Sequence, residues 1–536
     1  MGIPSYYRTL ITKIPTAITK SAPHSTGALL VDMNCMIYHI LKEPKMANTP
    51  YPGTPGSPES NRWEKKLQDE VCAYLTHVWR SAGAPTKVYV ALDGVVPYAK
   101  IKQQRFRRFK SAAAATVVAT TVGSTATPTW DTNAITPGTA FMATMGDALR
   151  TAGSKFGWSI SDTDEPGEGE HKVMKWLHTT QVPAGPIVVY GLDADLILLC
   201  LLAGEKLGNA YKLYLLRESM AFGKLVRHSE NEHADLCFFD ISTLLTSLQR
   251  GETWTREQFY DYIFGMSFCG NDFLPTGLSL RMRDNGHSIL LSGLSTLWKR
   301  NTHMVKFEDG IAVPDKAGLI AFTKFMLSQE DRLVLTTIRA KMSARFGESE
   351  EDNLPLIEQA EKPLIQFKGE HISLRSNWQD TYSQLALGTN EREQRQRCAR
   401  EFWEGWSWIL RYYQGLPVDF EWVYSAGYPP TWSDLLQNLL HGQDNPIMKL
   451  PITERIPLKP QEQLALVLPM RSWYLLMKTP YRNLPATLPQ FWPQGFHLET
   501  FGKRFGWECE PLIPMLTPER LRYQMRSNEE RMNHTT

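Results

Sequence analysis

Seven carboxylates stand apart from the charge runs that solvate most protein surfaces. Asp32 follows Ala-Leu-Leu-Val, and Asp93 follows Val-Tyr-Val-Ala-Leu. Glu168 and Glu170 stand in Pro-Gly-Glu-Gly-Glu-His-Lys, Asp193 and Asp195 flank Ala194, and Asp272 stands in Cys-Gly-Asn-Asp-Phe-Leu-Pro. Several such acids brought into one site repel one another, and burial deepens the repulsion. Divalent cations are the simplest compensation, and all-oxygen ligation suits Mg²⁺ or Mn²⁺ rather than zinc. Two ions about 3.5–4 Å apart serve phosphodiester hydrolysis, one activating water and the other stabilising the leaving oxygen. Each acid taken alone is equally an ordinary structural group. A strand-end Asp caps a helix or a turn, the acids of Gly-Glu-Gly-Glu-His favour a helix N-terminus, and Gly-Asn-Asp is a turn. The joint pattern is what points to phosphoryl transfer.

Seven residues after Asp93 begins a basic stretch, Lys100 to Lys110, and no acid occurs between Asp93 and Asp131. Lys100, Gln104, Arg107 and Arg108 are spaced i, i+4, i+7 and i+8, which places them on one helix face. Phe106 and Phe109 turn elsewhere as anchors. Arginine gives forked contacts to phosphate oxygens, and Lys and Gln complete a polar cradle. The alternative is a solvated basic face, and the spacing alone leaves both open.

These residues need a scaffold. Ala28–Val31, Lys87–Leu92 and Pro186–Tyr190 read as short buried strands, with helical patterns between them at Trp63–Ala82 and His171–Thr179. Strands alternating with helices predict an α/β fold with a mainly parallel central sheet and flanking helices. Ligands of such sheets gather at the carboxyl ends of the strands, where these acids stand. Pro44–Asn61 and Ser111–Thr129 read as weakly patterned, the first a surface loop. Beyond about residue 250, helix-like aromatic stretches dominate, including Trp254–Phe264, Ser288–Trp298 and Gly318–Ile338. We expect an α/β domain over 1–240 and a mostly helical domain over 241–536. A charged, loosely packed connector is expected within the second domain at about 345–396, with Glu348–Asp352 in it.

The composition bounds the rest. The 536 residues carry Lys+Arg 58 against Asp+Glu 56, so bulk charge cannot hold a polyanion and any basic function is local. The seven cysteines are odd in number and scattered, without a Cys-x-x-Cys pair, which argues against a disulfide framework and for a reducing, cytoplasmic setting. The longest apolar run, Leu196–Ala203, is far short of the roughly 18 residues a membrane span needs.

Read together, the motifs resemble the Xrn family of processive 5′→3′ exoribonucleases. The likeness begins at Met1-Gly-Ile-Pro-Ser-Tyr-Tyr-Arg8. It runs through Leu30-Val-Asp-Met-Asn34, Asp93-Gly-Val-Val-Pro-Tyr-Ala-Lys100, Gln103-Gln-Arg-Phe-Arg-Arg108, Asn133–Thr139, Pro166–Lys172 and Tyr190–Leu196. It continues at Leu215–Glu218, Gly270–Pro275, Glu404–Tyr413, Pro460–Leu464 and Gly502–Glu508.

The resemblance implies a PIN/flap-nuclease-like core with two Mg²⁺ (or Mn²⁺) ions held by Asp32, Asp93, Glu168, Glu170, Asp193, Asp195 and Asp272. It implies a 5′-monophosphate pocket at Lys100, Gln104, Arg107 and Arg108. The substrate it implies is single-stranded RNA with a 5′-monophosphate, degraded by a monomer to nucleoside 5′-monophosphates, with the helical block excluding duplexes. The family stacks its leading base between a His and a Trp. Here Tyr38 stands six residues after Asp32, with His39 beside it, and Tyr38 is either a stacking platform or a core residue. Trp422 is the expected partner, with Trp408 as the alternative. A structure-specific 5′ nuclease acting on DNA and a catalytically silent RNA-binding protein are the rival readings.

Overall fold

The computed structural model describes residues 2–122, 128–208, 212–221, 224–226, 233–344, 356, 359–369, 371–441, 455 and 457–533. The acidic run Glu348–Asp352 lies outside them. Two compact units form. One comprises Ile11–Gly251, Ile456–Gly495 and Ile513–Thr536, and the other Met1–Leu10, Glu252–Arg455 and Phe496–Leu512.

The first unit is built on one seven-stranded sheet. Its strands are β1 (Ile18–Thr19), β2 (Ala28–Asp32), β3 (Lys87–Ala91), β4 (Ser159–Ser161), β5 (Ile187–Tyr190), β6 (Leu213–Glu218) and β7 (Leu236–Asp240), in the order β1-β7-β6-β5-β2-β3-β4. Strands β4, β3, β2, β5 and β6 run parallel, with Val31 beside Val90 and Tyr190. β7 closes antiparallel on β6, and β1 on β7. Strand β2 is buried along its whole length because it lies in the middle of a sheet covered on both faces. The connecting helices are α1 (Asn34–Lys42), α2 (Pro58–Ser81), α3 (Tyr98–Val122), α4 (Ala140–Ser154), α5 (Gly169–Thr179), α6 (Asp195–Leu207) and α7 (Ile241–Gln249). Leu29, Val31, Leu67, Val71, Val90 and Tyr190 belong to the core between sheet and helices. The apolar run Leu196–Ala203 is the buried body of α6. Pro44–Asn61 is more ordered than a loop: a helical turn occupies Pro44–Ala47, and Ser57 caps α2 through the Ser60 N–H.

The second unit is helical. Its main elements are α8 (Arg256–Gly265), α9 (Gly286–Trp298), α10 (Lys316–Met342), α11 (Trp378–Leu387), α12 (Arg392–Tyr413) and α13 (Trp432–His441). Residues 359–396 are packed rather than loose. They form a hairpin, Ile365–Lys368 with His371–Leu374, and α11, whose Trp378 and Tyr382 enter a core with Leu278, Val334 and Phe501. Apolar spacing at Trp378, Tyr382 and Ala386 decides this against the surrounding charges.

Residues 456–495 and 513–536, expected in the helical domain, group with the sheet instead. Within that segment α14 (Pro460–Val467) packs on α3. The reason is the buried face of α3. Arg105 is fully buried, donates to the carbonyls of Leu466 (2.8 Å) and Phe491, and lies over the rings of Phe109 and Trp492.

Candidate active site

Six of the seven acids converge at the carboxyl ends of β2, β3 and β5. Asp32 is the last residue of β2, and Asp93 follows β3 by two residues. Glu168 is the N-cap of α5 and Glu170 lies in its first turn, while Asp193 lies in the loop after β5 and Asp195 opens α6. Asp32, Glu168, Glu170 and Asp195 are buried. Burial, then the charges of Asp93 and Asp193, push the Asp32 carboxyl well above its ordinary value. Burial and Glu168 do the same to Glu170, with Asp193 and Asp195 adding to it. Asp93 is also raised by burial, opposed by the Gly169 N–H that donates to its Oδ1 at 2.7 Å.

Local sequence explains the closeness. A Cβ on Gly169 would lie 2.4 Å from Asp32 Oδ1, and one on Gly191 would meet Leu196 at 2.4 Å and Asp32 Cβ at 3.4 Å. Glycine is the residue that lets helix and loop pass this close to a carboxylate. Asn34 fixes Asp93 from both sides: its Nδ2 donates to Oδ2 (3.0 Å), and its Oδ1 accepts from the Asp93 N–H (3.1 Å). Lys172 is buried and donates to the carbonyls of Leu92 (2.8 Å) and Asp162 (2.7 Å); burial draws its pKa down to about 8.

Glu168, Glu170 and His171 each offer a ligand atom within 4.8 Å of the others. Two like charges at that distance repel by about 3 kcal/mol at an effective dielectric near 20. Lys100 offsets part of this from 2.6 Å off Glu168. His171 adds no charge at neutral pH, because burial draws it down to about 4. The carboxylate oxygens of this buried cluster suit a hard divalent cation, with the His171 ring as a nitrogen neighbour.

Asn34, Gly169, His171 and Lys172 were not assigned from sequence. All four lie inside quoted motifs, so their signal was position within Leu30–Asn34 and Pro166–Lys172 rather than residue type.

The basic face divides. Lys100, Gln104 and Arg108 are buried, whereas Arg107 is exposed, since i+7 and i+8 diverge by about 100° around the helix. Gln104 Oε1 accepts from Gln463 of α14 (3.3 Å), whose Oε1 accepts from the Val96 N–H (3.0 Å). Arg108 keeps a buried Nη1 without a hydrogen-bond partner among the described residues, and burial lowers its pKa to about 10. Tyr38 on α1 is half-buried at the edge of the core, and its phenol interacts electrostatically with Arg108. His39 points away: it is buried against Tyr74 at 4.8 Å, with Nε2 3.1 Å from Glu43.

Asp272 and Trp422 belong to the helical unit. Asp272 is buried in a turn that Asn271 closes by accepting from the N–H groups of Phe273 and Leu274. Trp408 is core, stacked on Tyr412 at 4.7 Å and touching Phe273. Trp422 lies partly exposed over Trp408 at 5.5 Å.

A mainly parallel sheet with acids gathered at its strand ends places the first unit in the PIN-like class of α/β folds. Residues 1–219 match the family described as XRN 5′-3′ exonuclease N-terminus, and residues 371–535 match the Xrn1 helical domain. The chain belongs to the Xrn family. It is 24% identical over 97% of its length to 5′-3′ exoribonuclease 1 of Schizosaccharomyces pombe, covering 48% of that protein. It is 25% identical over 97% of its length to 5′-3′ exoribonuclease 2 of Arabidopsis thaliana, covering 66%. Against human 5′-3′ exoribonuclease 1 it is 26% identical over 97% of its length, covering 34%. The chain thus spans between a third and two thirds of these relatives. No helix among the described residues is long and apolar enough to cross a membrane.

Proposed function

We propose that the protein is a 5′→3′ exoribonuclease that degrades 5′-monophosphorylated single-stranded RNA to nucleoside 5′-monophosphates. One observation carries this: six carboxylates crowd the strand ends beside a buried arginine whose Nη1 has no hydrogen-bond partner among the described residues. The relatives named as 5′-3′ exoribonucleases support the same reading.

Six carboxylates against Lys100 and Lys172 leave four negative charges, which two Mg²⁺ or Mn²⁺ ions cancel. Bound there, such ions supply an activated water and a Lewis acid for the leaving oxygen. The chain's own residues do the rest. Asp32, Asp93, Glu168, Glu170, Asp193 and Asp195 hold the ions. Asn34 and the Gly169 N–H keep the Asp93 carboxylate from rotating, and Lys172 holds the backbone beside it through the Leu92 carbonyl. Arg108, Lys100 and Gln104 bind the terminal phosphate, Arg108 through its forked donors. Arg107, being exposed, serves the following backbone or the pocket's rim. Tyr38 presents a flat face beside that pocket, on which the leading base stacks. The reading also assigns Asp272 as an acid ligand and Trp422 as a stacking residue, each open to test by substitution. We place the enzyme in the cytoplasm as a monomer, in keeping with seven free cysteines.

The deciding experiment is degradation of one RNA bearing in turn a monophosphate, triphosphate, cap or hydroxyl at its 5′ end, with and without Mg²⁺. Mononucleotide release from the monophosphate form alone, and only with metal, is the expected result. Equal cleavage of all four ends removes the pocket, and release in EDTA removes the metal site.

A further inference from the structure

Behind the acids lies a buried polar cluster that the proposed chemistry does not use. Glu218, the last residue of β6, is 2% exposed. Its Oε1 accepts from the hydroxyls of Tyr74 and Tyr190, each at 2.6 Å, and lies 3.9 Å from His39 Nδ1. Burial, and the carboxylate itself, hold both phenols well above their ordinary pKa, so both stay donors.

Three elements meet on this one oxygen, and two of them carry site residues. Tyr190 ends β5 and is followed at once by the loop that bears Asp193 and leads into Asp195 at the start of α6. That loop has little room, since Gly191 passes against Leu196 and Asp32 and its N–H is held by the Leu216 carbonyl of β6 at 3.3 Å. His39 lies on α1, which starts just after Asp32 and carries Tyr38. Cys35 of the same helix connects the cluster to the acids: its thiol donates to the Asp32 carbonyl at 3.2 Å, and the charges of Asp32, Glu218 and Asp193 all act on it. Tyr74, by contrast, is on α2, to which no site residue belongs.

We propose that Glu218 is a positioning residue for the acid site, holding the end of β5 through the Tyr190 hydroxyl and packing against His39 of α1 so that Asp193, Asp195 and Asp32 keep their ligand geometry. The inference rests on the metal reading of those acids. Groups that orient ligands from behind typically change metal affinity by about 10- to 100-fold when removed.

The two tyrosines supply an internal control. Tyr190→Phe and Tyr74→Phe each delete one hydroxyl bonded to the same oxygen at the same distance, but only Tyr190 leads into the acid loop. The full-length protein is titrated with Mg²⁺ by calorimetry, and melting temperature is recorded for each variant. Glu218→Gln and Tyr190→Phe are expected to raise the Mg²⁺ dissociation constant about tenfold. Tyr74→Phe is expected to leave it within about twofold of wild type while lowering the melting temperature as much as Tyr190→Phe does. Should Glu218→Gln fail to fold, Tyr190→Phe carries the comparison. Unmoved constants in Glu218→Gln and Tyr190→Phe, or an equal change in Tyr74→Phe, overturn the inference alone. Absence of Mg²⁺ binding in wild type overturns it together with the metal reading.

Discussion

Gly169→Ala is the sharpest probe of the proposed centre, because it adds one methyl group and changes no charge. The added Cβ would sit 2.4 Å from Asp32 Oδ1 and 3.0 Å from the Ala91 carbonyl, where ordinary contact begins at 3.4 Å. Asp32 or the start of α5 must therefore move by 3.4 − 2.4 = 1.0 Å. Overpacking of this kind costs about 1–3 kcal/mol. The better helix propensity of Ala returns at most about 1 kcal/mol. A fall of a few degrees in melting temperature is expected, with the fold intact. Catalysis is far more sensitive, since a displacement of about 1 Å at a reacting centre costs on the order of 100-fold. The assay is single-turnover hydrolysis of a 5′-monophosphorylated RNA at saturating Mg²⁺, beside a thermal melt. A variant within about threefold of the wild-type rate refutes the placement of Asp32 at the reacting centre.

Three further outcomes are expected. Asp193→Asn and Asp195→Ala should lose hydrolysis by at least about 1000-fold while still retarding RNA in a gel shift; substantial mononucleotide release by either purified variant removes its metal role. Arg108→Ala should raise KM for 5′-monophosphorylated RNA about 10- to 100-fold and leave hydroxyl-ended RNA little changed, with Arg107→Ala the milder of the two. The reverse ranking would make the exposed arginine the phosphate ligand. The third outcome concerns pH. Asp32, Asp93 and Glu170 are all raised by burial above ordinary values of 3.8, 3.8 and 4.5. The folded protein thus holds protons that the unfolded chain has released. The stability these groups give the metal-free protein is present in acid and lost as pH rises through the raised values. Mg²⁺ competes with those protons, so the melting-temperature gain from Mg²⁺ over EDTA should be small near about pH 5 and larger near about pH 8. An equal gain at both pH values detaches these carboxyls from metal binding.

The three strands that deliver the acids were readable to within a residue, because Ala28–Val31, Lys87–Leu92 and Pro186–Tyr190 are apolar runs with turn chemistry at their ends. The basic helix was readable as a helix, but spacing could not tell that Arg107 faces solvent and Arg108 the interior. A window centred on i+7.5 accommodates both arginines, and the tie is broken by what lies against the helix. That partner is α14, more than 350 residues away in sequence, which no local pattern announces. Tyr38 and His39 illustrate the same limit. Adjacent aromatic residues on one helix take different surroundings, and although Glu43 is a local i,i+4 neighbour of His39, the Tyr74 and Glu218 contacts that help bury it are tertiary. The charged appearance of 359–396 misled because solvated charges outnumber the few apolar residues, Trp378 and Tyr382 among them, that set its packing.

The buried guanidinium of Arg105 has a consequence for how the chain reaches its final state. Its two carbonyl acceptors stand 361 and 386 residues downstream. During synthesis, every strand of the sheet leaves the ribosome before either acceptor exists. Until residue 491 emerges, the helix bearing the proposed phosphate ligands has one face without its counterpart, and desolvating a lone cation there is costly. Folding of this unit is consequently non-local and slow to close. A nascent chain halted at residue 251 would contain all six clustered acids and still lack the segment against which their neighbouring cradle is assembled.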